Sequence, residues 1–238
     1  MAEPFVRTET LIGKEKFNKL SRSRVAVFGV GGVGGFVVEA LARSGVGAIA
    51  LFDGDTVSES NINRQLIANE ETVGKSKVEI EKEHVLSINP NAKVETTDRF
   101  ITTDEAKIIN LLYYDYIVDA IDSVGVKIEL IKRAKDLGVP IISCMGTGGK
   151  LDATRLKVTD VYKTEGCPLA RVVRKELKQA GVKSLKVVFS DEPTSFGVEN
   201  PEETQTKADG KKAPPSMIFV PGAAGLIIAS EVIKDLIE

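Results

Sequence analysis

The residues that could do chemistry begin with glycines. Gly29, Gly31 and Gly34 fit G-x-G-x-x-G in the run Val25 to Gly34, Val-Ala-Val-Phe-Gly-Val-Gly-Gly-Val-Gly. Without a Cβ the backbone can approach a phosphate, and unpaired amides at a helix N-terminus attract the anion. Asp53 ends the apolar run Ala48 to Phe52, the position where an acid meets a ribose hydroxyl. A glycine turn without a ligand is the plainer alternative. The strand before it and the acid after it favour a nucleotide.

This motif alone also fits dehydrogenases that bind NAD. The residues that follow separate the two: Asn61, Arg64 and Gln65 in the next loop, Lys77 on the next helix, and Asp122 after a later strand. Two cations and a carboxylate suit a triphosphate with Mg2+ better than a dinucleotide. The cations neutralise phosphate charge as it builds on a leaving group, and the acid holds the metal. Singly, Arg64 and Lys77 read as solvated surface charges and Asp122 as a cap of the helix after Ser123. Together they read as a site.

The elements that must position these residues alternate. Val25 to Phe28 and Ala48 to Phe52 read as buried strands, and Val37, Leu41 and Ala42 as helical spacing between them. Lys75–Ser87 reads as a helix, Lys93–Thr97 as a strand, Asp104–Leu112 as a helix and Tyr116–Ala120 as a strand. A helix then runs to Leu137, and Val139–Cys144 is a strand. This alternation predicts an α/β fold, a Rossmann-like doubly wound and mostly parallel sheet with sites at the strands' carboxyl ends.

Thr8 to Leu20 reads as one amphipathic helix ahead of the first strand. Beyond residue 150 a mixed extension is expected: strand Arg155–Val161, helix Pro168–Ala180 and strand Leu185–Phe189. Residues 191–216, rich in Pro, Glu, Thr and Lys, read as a flexible loop, and Gly222–Ile237 as a docked amphipathic helix. One nucleotide-binding domain over residues 1–238 is expected.

The 238 residues carry a formal charge of −2, so no global positive field marks a nucleic-acid binder, and such a partner would need a local basic patch. Two cysteines, Cys144 and Cys167, with no C-x-x-C, argue against a disulfide framework or structural zinc. Cys144 reads as a buried small hydrophobe, Cys167 as the more exposed of the two, and His84 as a surface residue. No signal peptide and no membrane span are read in the chain, so a cytoplasmic protein is expected, with peripheral membrane attachment through the last helix left open.

Gly-Val-Gly-Gly-Val-Gly, Asp53-Gly54-Asp55, Asn61-x-Asn63-Arg64-Gln65, Val73-Gly74-x-x-Lys77 and Asp119-x-x-Asp122 resemble the ubiquitin-activating superfamily of adenylating enzymes. The resemblance implies that Gly32 and Asp53 contact adenosine and that Asn61, Arg64 and Lys77 handle phosphates. It implies Mg2+ on Asp122 and a nucleotide lined also by Gly29, Gly31, Gly34, Asp55 and Gln65. It further implies a homodimer in which Arg7 reaches across into the partner's site.

The second half narrows this. Ser143 to Gly148, Gly166 to Leu177 and Lys186 to Ser190 resemble the tRNA threonylcarbamoyladenosine dehydratase branch. That branch activates the carboxylate of the modification with ATP and lets its own urea close a ring, which explains the lack of an acceptor thiol. Arg171, Arg174, Lys175 and Lys178 form one basic stripe on a helix whose other face holds Leu169, Val172, Val173 and Leu177, and tRNA phosphate binding is expected there. A sulfur-carrier activator and an NAD-binding oxidoreductase are the alternatives, and a cysteine desulfurase is a further possible partner.

Overall fold

The computed structural model describes residues 4–194 and 214–238. Seven strands form one sheet in the order β3-β2-β1-β4-β5-β7-β6. They are β1 (Arg24–Phe28), β2 (Ala48–Phe52), β3 (Lys93–Thr97), β4 (Tyr116–Asp119), β5 (Ile141–Cys144), β6 (Leu156–Asp160) and β7 (Lys186–Ser190). All pairs are parallel except β6 with β7. The expected α/β class and mixed C-terminal extension are both present.

Alternation along the buried strands feeds two cores. Val25 and Val27 face one side of β1, and Ala26 and Phe28 face the other. The first side is covered by α3 (Gly34–Ser44), α4 (Lys77–Ile88) and α8 (Phe219–Ile237) through residues such as Leu41, Val85 and Ile228. The second is covered by α5 (Thr103–Ile108), α6 (Val124–Asp136) and α7 (Pro168–Gln179), where Leu130, Ile131 and Val173 are fully buried. Each such aliphatic side chain contributes about 1.5–3 kcal/mol on burial. Phe28 stacks on Phe52 at 4.2 Å between ring centroids, joining β1 to β2 in the second core.

The strand order decides where a ligand can sit. From β1 the chain winds outward through β2 to β3, then returns to the other side of β1 as β4. The loops after β1 and β4 therefore leave the sheet in opposite directions and open a crevice at their carboxyl ends. The segments after β1 and β4 are Gly29–Gly34 and Ala120–Ser123.

Several boundaries move by one or two residues, as at α4 and β5, and three departures from the sequence reading are larger. The expected helix Thr8–Leu20 is two helices, α1 (Val6–Ile12) and α2 (Lys14–Leu20), because Gly13 adopts φ 86° and ends the first. α5 stops at Ile108, and its remainder tightens into a 3-10 turn over Leu111–Tyr113. α8 starts at Phe219 instead of Gly222, with Pro221 in the first turn, where its missing N–H costs nothing. Of the expected loop 191–216, residues 195–213 lie outside the described residues. No helix among the described residues is long and apolar enough to cross a membrane.

Candidate active site

The glycines of the first loop divide into two pairs. Gly29 has φ 88°, and a Cβ there would lie 2.7 Å from the Ala120 carbonyl oxygen, on the turn after β4. A Cβ on Gly34 would fall 1.7 Å from the Gly29 carbonyl oxygen. Those two are required by the fold itself. A Cβ on Gly31 would find nothing nearer than the Gln65 amide nitrogen at 3.6 Å, and one on Gly32 nothing nearer than Pro221 at 3.5 Å. At both positions a Cβ would make only ordinary van der Waals contact, so the fold itself does not demand glycine there. A bare backbone there suits a group arriving from outside.

Asp53 braces this loop. Its Oδ2 accepts from the Val30 amide at 2.8 Å and its Oδ1 from the Asp55 amide at 2.9 Å. Asp55 then receives Lys77 Nζ at 2.8 Å, with the lysine side chain 5% exposed and the aspartate 52%. Lys77 begins α4 and also donates its backbone N–H to the Asp55 carbonyl at 3.1 Å. A nearly buried ammonium is thus held at the crevice by a carboxylate that faces water. An arriving phosphate can compete for it.

The 59–65 segment supplies the other polar groups. Asn61 is buried, and its Oδ1 accepts from the Ser58 amide at 3.2 Å, closing the turn that presents Arg64. Arg64 donates to the Ser60 carbonyl at 2.6 Å and to Asn63 Oδ1 at 2.9 Å. Burial lowers the pKa of its guanidinium, and the negative charge of Asp122 works against that shift. Arg64 and Asp122, far apart in sequence, are therefore brought within electrostatic reach of each other. Gln65 is buried beside Gly31, and its Oε1 has no hydrogen-bond partner among the described residues. An orphaned polar atom next to an open glycine loop fits a polar ligand.

Metal donors are sparse here. No group of three His, Cys, Asp or Glu among the described residues converges enough to hold an ion alone. That donor set fits Mg2+ carried by a nucleotide, since this ion takes one or two carboxylates plus phosphate oxygens and waters.

Arg7 is not in this crevice. It is exposed on α1, two residues from Phe5, whose ring packs on Phe17 beside Gly45 at the far end of α3. The α3 axis, about 16 Å for 11 residues, separates that corner from the glycine loop. Arg7 cannot serve the site of its own chain.

On α7, Ala170, Val173 and Leu177 are buried, and Arg171, Lys175 and Lys178 are exposed. Two expectations need correction. Val172 is 43% exposed, so it is not on the packed face. Arg174 is half-buried and donates to the Thr164 carbonyl at 2.7 Å, which ties it to the preceding loop. The free stripe has three cations.

Neither cysteine is presented as a nucleophile. Cys144 is buried, and burial pushes its thiol up to about 12. Cys167, expected to be the more exposed, is only 3% exposed and packs near Gly146 at the start of α7. His84 is partly buried, with Nε2 2.6 Å from Glu39 Oε2 between α3 and α4, outside the crevice. Sequence reasoning assigned nothing to Lys127, Ser143 or Glu81. All three are fully buried, and on their helices Lys127 and Glu81 read as solvated charges.

Comparison with known proteins agrees with this geometry. Residues 6–238 match the ThiF family. The Bacillus subtilis tRNA threonylcarbamoyladenosine dehydratase is 42% identical over 246 residues, spanning 100% of this chain and 96% of that protein. The solved structure of the E. coli tRNA N6-threonylcarbamoyladenosine dehydratase in complex with ATP superposes with a TM-score of 0.87 at 32% identity. It covers 98% of this chain and 93% of that one. A molybdopterin-synthase adenylyltransferase from Haemophilus influenzae is 34% identical over 126 residues, reaching only 52% of this chain. That likeness covers about half the chain, whereas the likeness to the Bacillus subtilis dehydratase runs through both halves; with the family match over residues 6–238, the chain belongs to the ThiF family.

Proposed function

We propose that this protein is an ATP-dependent tRNA threonylcarbamoyladenosine dehydratase. The observation that carries the reading is the crevice itself: an open glycine loop faces Arg64, Lys77 and Asp122, with no accessible thiol to take an acyl group. The end-to-end likeness to dehydratases supports the substrate.

The chemistry follows from these groups. The carboxylate of the modification attacks a phosphorus of ATP, the P–O bond to the departing pyrophosphate or ADP breaks, and the carboxylate becomes a mixed anhydride with the transferred AMP or phosphate. The urea group of the same modification then attacks the acyl carbon and gives up one proton to the solvent, the phosphate-bearing oxygen leaves with its phosphate or AMP, and a ring closes with net loss of water. Because nucleophile and electrophile share one short tether, effective molarities of about 10⁵ M or more make an enzyme thiol unnecessary.

The amide of Gly31 approaches the phosphates, Gly29 and Gly34 shape the loop, and Gly32 contacts the adenosine together with Asp53, which braces that loop. Lys77, shared with Asp55, and Arg64, set by Asn61 and beside Gln65, neutralise the leaving phosphate. Asp122 holds Mg2+, which supplies further charge compensation on the phosphates when bound. The position of Arg7 fits a homodimer in which it enters the partner's crevice. Arg171, Lys175 and Lys178 bind tRNA phosphates, and Arg174 positions the loop before α7.

The test is nucleoside mass spectrometry. tRNA bearing threonylcarbamoyladenosine is incubated with the protein, ATP and Mg2+, then digested. A nucleoside lighter by one water, absent when ATP is omitted, is expected. An unchanged nucleoside, together with adenylation of a small protein ending in Gly-Gly, would overturn the reading in favour of a sulfur-carrier activator.

A further inference from the structure

Directly beneath the turn that carries Asp122 lies a closed polar network. The side chains of Lys127 and Asp119 are both 0% exposed. Lys127 Nζ donates to Asp119 Oδ2 at 2.7 Å, to Ser143 Oγ at 3.2 Å and to the Cys144 carbonyl at 3.1 Å. Asp119 Oδ2 also accepts from Ser143 Oγ at 2.5 Å, and its Oδ1 accepts from the Ile121 amide at 3.2 Å. Every ammonium proton is used, and both carboxylate oxygens are occupied.

Its members come from three elements. Asp119 ends β4, Ser143 and Cys144 end β5, and Lys127 sits in the first turn of α6, where its N–H donates to the Ser123 carbonyl at 3.0 Å. The turn Ala120–Ser123 is spanned by these bonds from below. From the other side the Ala120 amide donates to the Phe28 carbonyl at 2.8 Å, and the Ala120 carbonyl presses on Gly29. The turn is thus clamped between the network and the glycine loop.

Stability does not explain such an arrangement. Withdrawing two charges from water costs several kcal/mol per ion, and a well-packed apolar replacement is often as stable or more so. Its geometric effect is specific: it fixes the one turn that presents Asp122 to Arg64. We propose that Lys127 is a positioning residue, which through Asp119 and Ser143 sets the Ala120–Ser123 turn and so the place of Asp122 in the crevice. This rests on the reading of Asp122 as the Mg2+ holder.

The readout is the gain in ATP affinity on adding Mg2+, measured by calorimetry without turnover, on wild type, Lys127→Met, Lys127→Arg, Ser143→Ala, Asp122→Asn and Leu111→Ala. Leu111 is fully buried in the second core and touches none of these groups, so it reports general destabilisation. Lys127→Met and Ser143→Ala are expected to cut the gain by about tenfold, as loss of groups that orient a metal's carboxylate does. Lys127→Arg should recover part of it, and Leu111→Ala should keep all of it at a comparable loss of melting temperature. A wild-type gain in Asp122→Asn would overturn the assignment of Asp122 itself. Loss of the gain in Asp122→Asn, with a wild-type gain in folded Lys127→Met and Ser143→Ala, would overturn the positioning role alone. Should Lys127→Met fail to fold, Ser143→Ala and Lys127→Arg decide.

Discussion

Substituting Gly32 with alanine separates a structural turn from a nucleotide cradle. A Cβ at this position would meet Pro221 at 3.5 Å and Arg64 at 3.6 Å, ordinary contacts without a clash, and its backbone φ is not positive. Gly→Ala under those conditions stabilises a fold by about 0.4–1 kcal/mol, by restricting the unfolded chain. For a chain of this size that raises Tm by up to about 4 °C. If the open space is where ATP lies, the same methyl must displace the nucleotide. A loss of at least tenfold in ATP affinity, about 1.4 kcal/mol, is expected. The two effects have opposite signs in one variant: melting temperature rises without ATP, while the further rise that ATP gives wild type shrinks. Gly34→Ala is the contrast, because its Cβ would collide with the Gly29 carbonyl and the unliganded fold itself should suffer. Melting curves with and without ATP, backed by calorimetry, read both. An unshifted ATP affinity in a folded Gly32→Ala protein would refute the cradle.

Lys77→Ala and Asp122→Ala should each lower turnover by about 100-fold or more with the fold intact, because they remove charge compensation needed at the transition state; single-turnover assays with circular dichroism check this, and near-normal rates in both would sink the site. Cys167→Ala and Cys144→Ser should keep substantial turnover, although burying a hydroxyl at Cys144 costs about 1–3 kcal/mol; complete loss in a folded Cys167→Ala protein would point to a thioester. Replacing two of Arg171, Lys175 and Lys178 by alanine should flatten the slope of log K for tRNA against log salt by roughly 0.7–0.9 for each phosphate left unneutralised, with ATP affinity unchanged. Glu81 is fully buried with both carboxyl oxygens unpartnered among the described residues, and burial, then the charge of Glu39, raises its pKa well above the usual 4.5. The folded protein therefore keeps that proton to higher pH than the unfolded chain. Stability should fall by up to about 1.4 kcal/mol per pH unit above the ordinary carboxylate range, and Glu81→Gln should remove that slope in urea titrations.

What is legible in the sequence is what local periodicity encodes. The β1–glycine–α3 unit, the acid after β2 and the Pro168-to-Gly181 limits of α7 each rest on neighbours a few residues apart, and each stands in the structure near its expected place. The break at Gly13 is hidden because the amphipathic pattern runs on across it, and only a φ of 86° reveals two helices. Arg174 belongs to the basic stripe by spacing. Its bond to Thr164, ten residues earlier, is a tertiary fact that spacing does not carry.

The buried charges show why the remainder is out of reach. Lys127 lies on a helix rich in lysine, and periodicity cannot distinguish it from its solvated neighbours. Its burial depends on Asp119, 8 residues before it, and on Ser143, 16 after it, meeting at the ends of adjacent strands. That adjacency is a property of sheet order. The same holds for the crevice: the alternation of elements places Gly29–Gly34 and Asp122 at one edge of a sheet, but only the order 3-2-1-4 sets them face to face. Side-chain identity therefore encodes which chemistry is available, and topology decides which groups can act on the same phosphate.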